Sequence, residues 1–235
     1  MNRRYVQLLL VRVFLALILY PVVYPAGSRA SANAVKIANI HTGDLIFLDM
    51  KCRGLCSAIA DATKRQFKVT GPDLSHVGIL ESNGKHGTFV FEAWPNGGVI
   101  RTPLAEVLER VKGGENEKDG FYIGRFKREF RPQVLAAVQR ARRLLGKPYD
   151  SEFLMGGGKY YCSSLVYESF FSGVSGSSVG SGFFALTPMT FGKPGSIARK
   201  AWDDYFKKIG MKTPEGKLGI SPLGIYLQGK EKYFE

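Results

Sequence analysis

Residues that hold metals are scarce in this chain of 235 residues, which has three histidines and three cysteines. Cys52 and Cys56 stand in a C-x3-C spacing that lacks a second ligand pair, and His41, His76 and His86 form no H-x3-5-H. No metal site and no cofactor is therefore expected. Acidic residues are also few, 20 against 33 lysines and arginines, which gives a formal net charge of +13. Such a balance invites a nucleic-acid reading, yet there is no recognition helix, no zinc-finger spacing and no concentrated basic stripe, so nucleic acid is not an expected partner. The run "GGGKYY" lacks the Ser or Thr that must follow Gly-Lys in a phosphate loop, because Tyr160 stands there. Its glycines instead let the chain turn sharply into the segment that follows. There is no internal repeat.

What the chain does have begins with Arg3 and Arg4, then an apolar run from Val6 to Val23 broken only by Gln7 and Arg12, then small residues ending in "ASANA". This is the layout of a secretory signal peptide, with cleavage after Ala32 or Ala34, and its alternative is an uncleaved N-terminal anchor. Residues 1–34 are read as this leader and residues 35–235 as one globular domain. The expected location is outside the cytoplasm, in the periplasm or cell envelope. The leader carries four of the positive charges and no acids, so nine remain on the rest. A basic exported protein attracts anionic surfaces such as phospholipid headgroups or wall polymers, although the same charge also serves plain solubility.

Three cysteines in an exported chain leave one over. Cys52 and Cys56 can pair if the backbone brings their Cβ atoms together. That parity singles out Cys162, in "KYYCSSLVYESFF".

Periodicity orders the rest. "TGDLIFLDM" reads as a turn and a first strand, and the segment after Cys52 as a short helix. Strands are expected at about 75–81, 87–94 and 98–101, joined by Asn-Gly and Asn-Gly-Gly turns. "PLAEVLERV" is a short helix, "GGENEKDG" a charged loop and "GFYIGRFK" another strand. Positions 134, 137, 138, 141, 144 and 145 mark an apolar helix stripe opened by Pro132 and closed by Gly146. The Cys162 helix runs to about Gly173, followed by a Gly/Ser-rich loop, a helix near 196–209 and a loose tail at "GISPLGIYLQ".

A cysteine nucleophile works as its thiolate, which the positive end of a helix favours. Cys162 stands at such an end. A histidine must take and return the proton, and a third polar group must hold the imidazole. His41 and His86 fall in turns, whereas His76 lies on the strand "SHVGIL", where alternation groups it with Gly78 and Leu80 and where Gly78 leaves space beside the ring. Glu92 sits in the apolar run "TFVFEAWP", where a carboxylate is costly unless paired. Adjacent antiparallel strands can set His76 and Glu92 side by side. The alternative is that Glu92 marks the solvent face of the sheet.

"TGDLIF", "SHVGIL", "FEAWPNGGVIRTPL", "GKPYDSEF" and "YYCSSLVYESF", in that order, resemble the permuted papain-fold cysteine amidohydrolases of the NlpC type, the YiiX-like group, over roughly Thr42 to Phe171. In this group the histidine precedes the cysteine, as it does here. The resemblance implies an α+β fold, a circularly permuted papain-like arrangement in which an antiparallel sheet packs against helices and the nucleophile starts a helix. It implies Cys162 as nucleophile, His76 as base and acid, and Glu92 as the orienting residue. It also implies an oxyanion hole with the Cys162 N–H and a tyrosine, for which Tyr149 and Tyr161 are candidates. Related sequences carry Glu where this chain has Ser164, which draws attention to Ser164 as a substrate contact. The implied activity is amide hydrolysis of cell-envelope peptides or acylated amines. The alternatives are a lipid acyltransferase or thioesterase, with Phe183-Phe184 as an apolar entrance to a lipid-like substrate, or a non-catalytic envelope-binding module.

Overall fold

The structure is a computed structural model, and it describes residues 39–50, 54–111, 120–172 and 181–235. The leader at 1–34, Cys52, most of the charged loop and most of the Gly/Ser loop lie outside these residues.

Alternating apolar residues build a five-stranded antiparallel sheet. Its strands are β1 (Leu45–Leu48), β2 (His76–Ser82), β3 (Thr88–Trp94), β4 (Gly98–Pro103) and β5 (Phe121–Gly124), in spatial order β4-β3-β2-β1-β5. All pairings are antiparallel, with Leu45 opposite Ile79, Leu80 opposite Val90 and Glu92 opposite Ile100. Because side chains alternate across a strand, the sheet has two apolar faces. Leu45, Phe47, Val77, Ile79 and Phe91 belong to the main core. Ile46, Leu48, Leu80 and Val90 form a second cluster covered by Leu104 and Val107 of helix α2 (Leu104–Glu109).

The main core is closed by helices whose apolar stripes face the sheet. Helix α1 (Leu55–Phe67) precedes β2. Helix α3 (Arg131–Arg143) has Pro132 in its first turn and buries Val134, Ala137, Val138 and Ala141 of the expected stripe, whereas Leu144 and Leu145 lie past its end and Leu145 is exposed. Helix α4 (Cys162–Phe170) packs against β2, β3 and α3. It stops three residues short of Gly173 because Phe171 and Ser172 turn extended and pair with Ser181 and Gly182. Helix α5 (Ile197–Lys208) lies against α1 and is capped by Ser196, whose hydroxyl accepts from the Arg199 N–H.

The tail is the clearest departure from expectation. Instead of a loose end, Pro222–Gln228 form helix α6, with Ser221 as a cap accepting from the Gly224 N–H and Pro222 at the first helical position. The sequence Ser-Pro therefore held a helix-start signal. Helix α6 buries Leu223 and Ile225 in the main core, and Phe234 follows them beneath Phe47 and Phe126.

Gly78 has a packing role opposite to the one expected. A Cβ there would lie 2.4 Å from Val90 Cγ1 and 3.0 Å from the Phe91 carbonyl oxygen, so the space is already filled. Only glycine lets β3 approach β2 this closely, and that approach carries Glu92 toward His76.

Candidate active site

Cys162 is the first residue of α4, so its N–H has no acceptor within the helix. The helix start is built by Ser164. Its hydroxyl accepts from the Tyr161 N–H at 2.9 Å and donates to the Tyr161 carbonyl at 3.0 Å. Ser164 thus closes the first turn and faces buried backbone. A Glu at this third position would reach back to the same N–H in an ordinary capping box. The departure from the expected Glu keeps the local function with a shorter side chain.

His76 begins β2 and is buried, as is Cys162. Glu92, in the middle of β3, is fully buried. His76 Nε2 and Glu92 Oε2 lie 2.7 Å apart. Helix α4 packs on β2, and the Cys162 thiol and the His76 imidazole act on one another electrostatically, each shifting the other's pKa; the Cys162 sulfur also lies 3.7 Å from the Ser163 hydroxyl. Glu92 engaged through Nε2 leaves Nδ1 as the ring nitrogen for the thiol. The structure therefore brings the three residues singled out in the sequence into one buried cluster, with His76 paired to Glu92 and electrostatically coupled to Cys162. His41 and His86 are exposed, outside this cluster.

Glu92 has two further partners that the sequence reading did not find. Thr102 Oγ1 donates to Oε1 at 2.6 Å, and Arg110 Nη1 donates to Oε1 and Oε2 at 2.9 and 2.8 Å. Thr102 stands opposite Val90 on β4, so alternation puts it on the Glu92 face, a signal available in the sequence. Arg110 follows the end of α2, and only tertiary packing brings it here. Its guanidinium lies 4.1 Å over the Trp94 ring, and Trp94 in turn meets His76 edge to face at 5.3 Å.

The electrostatics follow from these contacts. Burial pushes the Glu92 carboxyl up, but the hydrogen bond with His76, helped by Thr102 and Arg110, brings it down to about 2. Burial pushes the His76 imidazolium down, but the interactions with Cys162 and then Glu92 raise it to about 9. The Cys162 thiol is raised by burial and brought below its ordinary value by His76. The pair thus favours thiolate and imidazolium across neutral pH, the state a cysteine nucleophile needs.

The two tyrosines separate. Tyr161 is buried, and its hydroxyl accepts from the Ile220 N–H at 3.1 Å and reaches Met155 Sδ at 3.3 Å, which ties α4 to the segment before α6. The Tyr149 pKa is raised first by burial and then by the Cys162 charge, and the same two influences act on Tyr161. Asp150 beside Tyr149 is scaffolding, accepting from the N–H groups of Glu152 and Leu154 at 2.9 and 2.8 Å. Cys56 is disulfide-bonded and Cys162 is a free thiol, while Cys52 lies outside the described residues.

Cys162 opens into a narrow cleft of about 50 Å³. Ile59 and Ala62 of α1, Phe153, Tyr161, Met189, Phe191, Trp202 of α5, Ile220 and Pro222 line it, with Thr63, Gln66, Ser75, Ser163, Thr190 and Ser221 as its polar members. Among the described residues no charged side chain lines this cleft. Phe183 and Phe184 are not its entrance. They pack elsewhere against Phe126, Phe170 and Tyr233 in the main core. Among the described residues no group of three His, Cys, Asp or Glu side chains converges as a metal site.

A papain-like site reordered so that the histidine strand precedes the cysteine helix defines the class, a permuted papain-like fold. Residues 39–213 match the family described as permuted papain-like amidase enzyme, YaeF/YiiX, C92 family, and the chain belongs to it. It is 31% identical to the uncharacterized protein YiiX of Escherichia coli K12 over an alignment of 137 residues that covers 54% of this chain and 55% of that protein. The chain thus spans about half the length of that curated relative. The crystal structure of metalloprotein yiiX from Escherichia coli O157:H7 superposes with a TM-score of 0.59 at 24% identity, covering 79% of this chain and 91% of that one, a likeness of fold.

Proposed function

We propose that this protein is an exported cysteine amidohydrolase that cleaves the amide bond of an acylated amine, with Cys162 as nucleophile, His76 as acid and base, and Glu92 as orienting carboxylate. The observation that carries this reading is the buried His76–Glu92 hydrogen bond beside the free thiol of Cys162 at the start of α4. The Cys162 thiolate attacks the carbonyl carbon, and the oxyanion is received by the Cys162 N–H and the Tyr149 hydroxyl. His76 gives its proton to the departing amine, leaving a thioester on Cys162. It then takes a proton from water, whose oxygen displaces the sulfur and releases the acid.

The uncharged, largely apolar cleft favours an apolar acyl group over a charged cell-envelope peptide. The same cleft supports a second reading, in which a lipid-like acceptor replaces water in the second step. The leader-like order of residues 1–34 and the positive charge left after it support export and contact with an anionic envelope surface. The O157:H7 neighbour is titled a metalloprotein. The described residues here do not form a matching donor set, since His76 and Glu92 are bound to one another, and no step passes through a metal.

The test is intact-mass spectrometry of the protein mixed with a long-chain N-acyl amine or with a charged muramyl peptide. A transient mass gain equal to the acyl group, lost in Cys162→Ala, is the expected result with the first substrate. A gain with the peptide alone would overturn the substrate class, and no gain with either would overturn the enzyme reading. Free acid or acylated acceptor as product separates hydrolysis from transfer.

A further inference from the structure

Glu92 has to serve two cations. His76 holds Oε2 at 2.7 Å, and Arg110 reaches both oxygens through one nitrogen while its guanidinium rests on Trp94. Orienting the imidazole does not require the second cation, because Thr102 already fixes Oε1 at 2.6 Å. Arg110 must therefore be judged by what its charge does. A carboxylate facing imidazolium alone would hold the proton firmly, yet the reaction needs that proton to leave for the amine.

We propose that Arg110 is a positioning residue for the chemistry at Cys162: bonded to both oxygens of Glu92 from its shelf on Trp94, it draws carboxylate charge away from His76, so that the imidazolium can release its proton to the departing amine. This rests on the reading of Cys162 as nucleophile. The groups that bear on His76 are Cys162 from α4, Glu92 from β3 and Trp94 beside it, with Tyr149 and Tyr161 bearing on the thiol and Arg110 acting through Glu92. Arg110 has 22% of its side chain exposed, so replacing it empties no deep cavity.

The experiment follows the His76 imidazole by NMR across pH in the full chain, for wild type, Arg110→Met and Arg110→Lys, with Arg110→Gln as a second neutral variant should the Met form not fold. Removing a charge at this range should raise the His76 midpoint in Arg110→Met by about one pH unit, while Arg110→Lys should stay near wild type. If Arg110 only anchors the carboxylate, losing it frees Glu92 from the imidazole and the midpoint falls. A fall, or no change, overturns the proposal. Iodoacetamide alkylation of wild-type Cys162 is measured alongside. Slow alkylation of wild type would sink the nucleophile reading itself, whereas fast alkylation with an unmoved His76 midpoint would sink only the role of Arg110.

Discussion

Replacing Glu92 by Gln keeps the shape of the side chain and removes its charge, at a position with no solvent exposure. The carboxylate accepts from Thr102 and Arg110 and pairs with His76, so the amide must turn its NH2 toward at least one group that is itself a donor. Two consequences follow, with different assays. First, imidazolium loses a charge-assisted hydrogen bond of about 1.5–3 kcal/mol, so Cys162 is less often thiolate at pH 6 and its alkylation slows by about 10- to 100-fold. Second, holding the Glu92 carboxyl near 2 against an ordinary 4.5 corresponds to about 3 kcal/mol of folding stability at neutral pH. Because the folded value is the lower one, this contribution is complete above pH 4.5 and is lost as pH falls toward 2. Urea unfolding at pH 7 should find Glu92→Gln less stable by that order. The difference from wild type should shrink as the pH is lowered through this window. A Gln variant equal to wild type in both stability and alkylation rate would refute the reasoning, because it would mean that Glu92 neither pairs with His76 in solution nor sustains its charge.

Tyr149→Phe should leave Cys162 alkylation unchanged and slow acyl-enzyme formation by about 100-fold, the usual loss for one oxyanion donor; an unchanged acylation rate would remove Tyr149 from the hole. Ser164→Ala should cost about 1 kcal/mol by uncapping α4, read as a melting-temperature drop of about 2–4 °C, with Ser164→Glu restoring most of it. Gly78→Ala should destabilise and loosen the site together, since its methyl would meet Val90 Cγ1 at 2.4 Å; a variant with native stability would show that β2 and β3 are not so tightly joined.

The sheet and the helix of the Pro132 stripe were legible because period-2 and period-3.6 patterns report directly which side chains face the core. The candidate site residues stood out for a different reason: a strand carboxylate in an apolar run, a strand histidine and a leftover cysteine each carry a physical cost or a parity that demands explanation. Thr102 was within reach of the same alternation. Arg110 was not, because a surface arginine after a short helix has no local feature that separates it from the other basic residues. Helix α6 was passed over because its apolar positions lie among glycines and prolines that usually mark loops. Yet Ile220, Ser221 and Pro222 line the cleft beside Cys162. The space expected beside Gly78 was misjudged because sequence shows which side chain is missing and not which neighbour fills its place.

The most direct measurement of the central claim is the rate of iodoacetamide alkylation at Cys162, mapped by peptide mass spectrometry from pH 4 to pH 10 in wild type and His76→Ala. The thiolate and imidazolium pair, with His76 held at about 9, predicts rapid labelling already at pH 6 in wild type and a shift of the onset toward ordinary thiol values, about pH 8.5, in the variant. Labelling that begins near pH 8.5 in both proteins would contradict an activated nucleophile at Cys162.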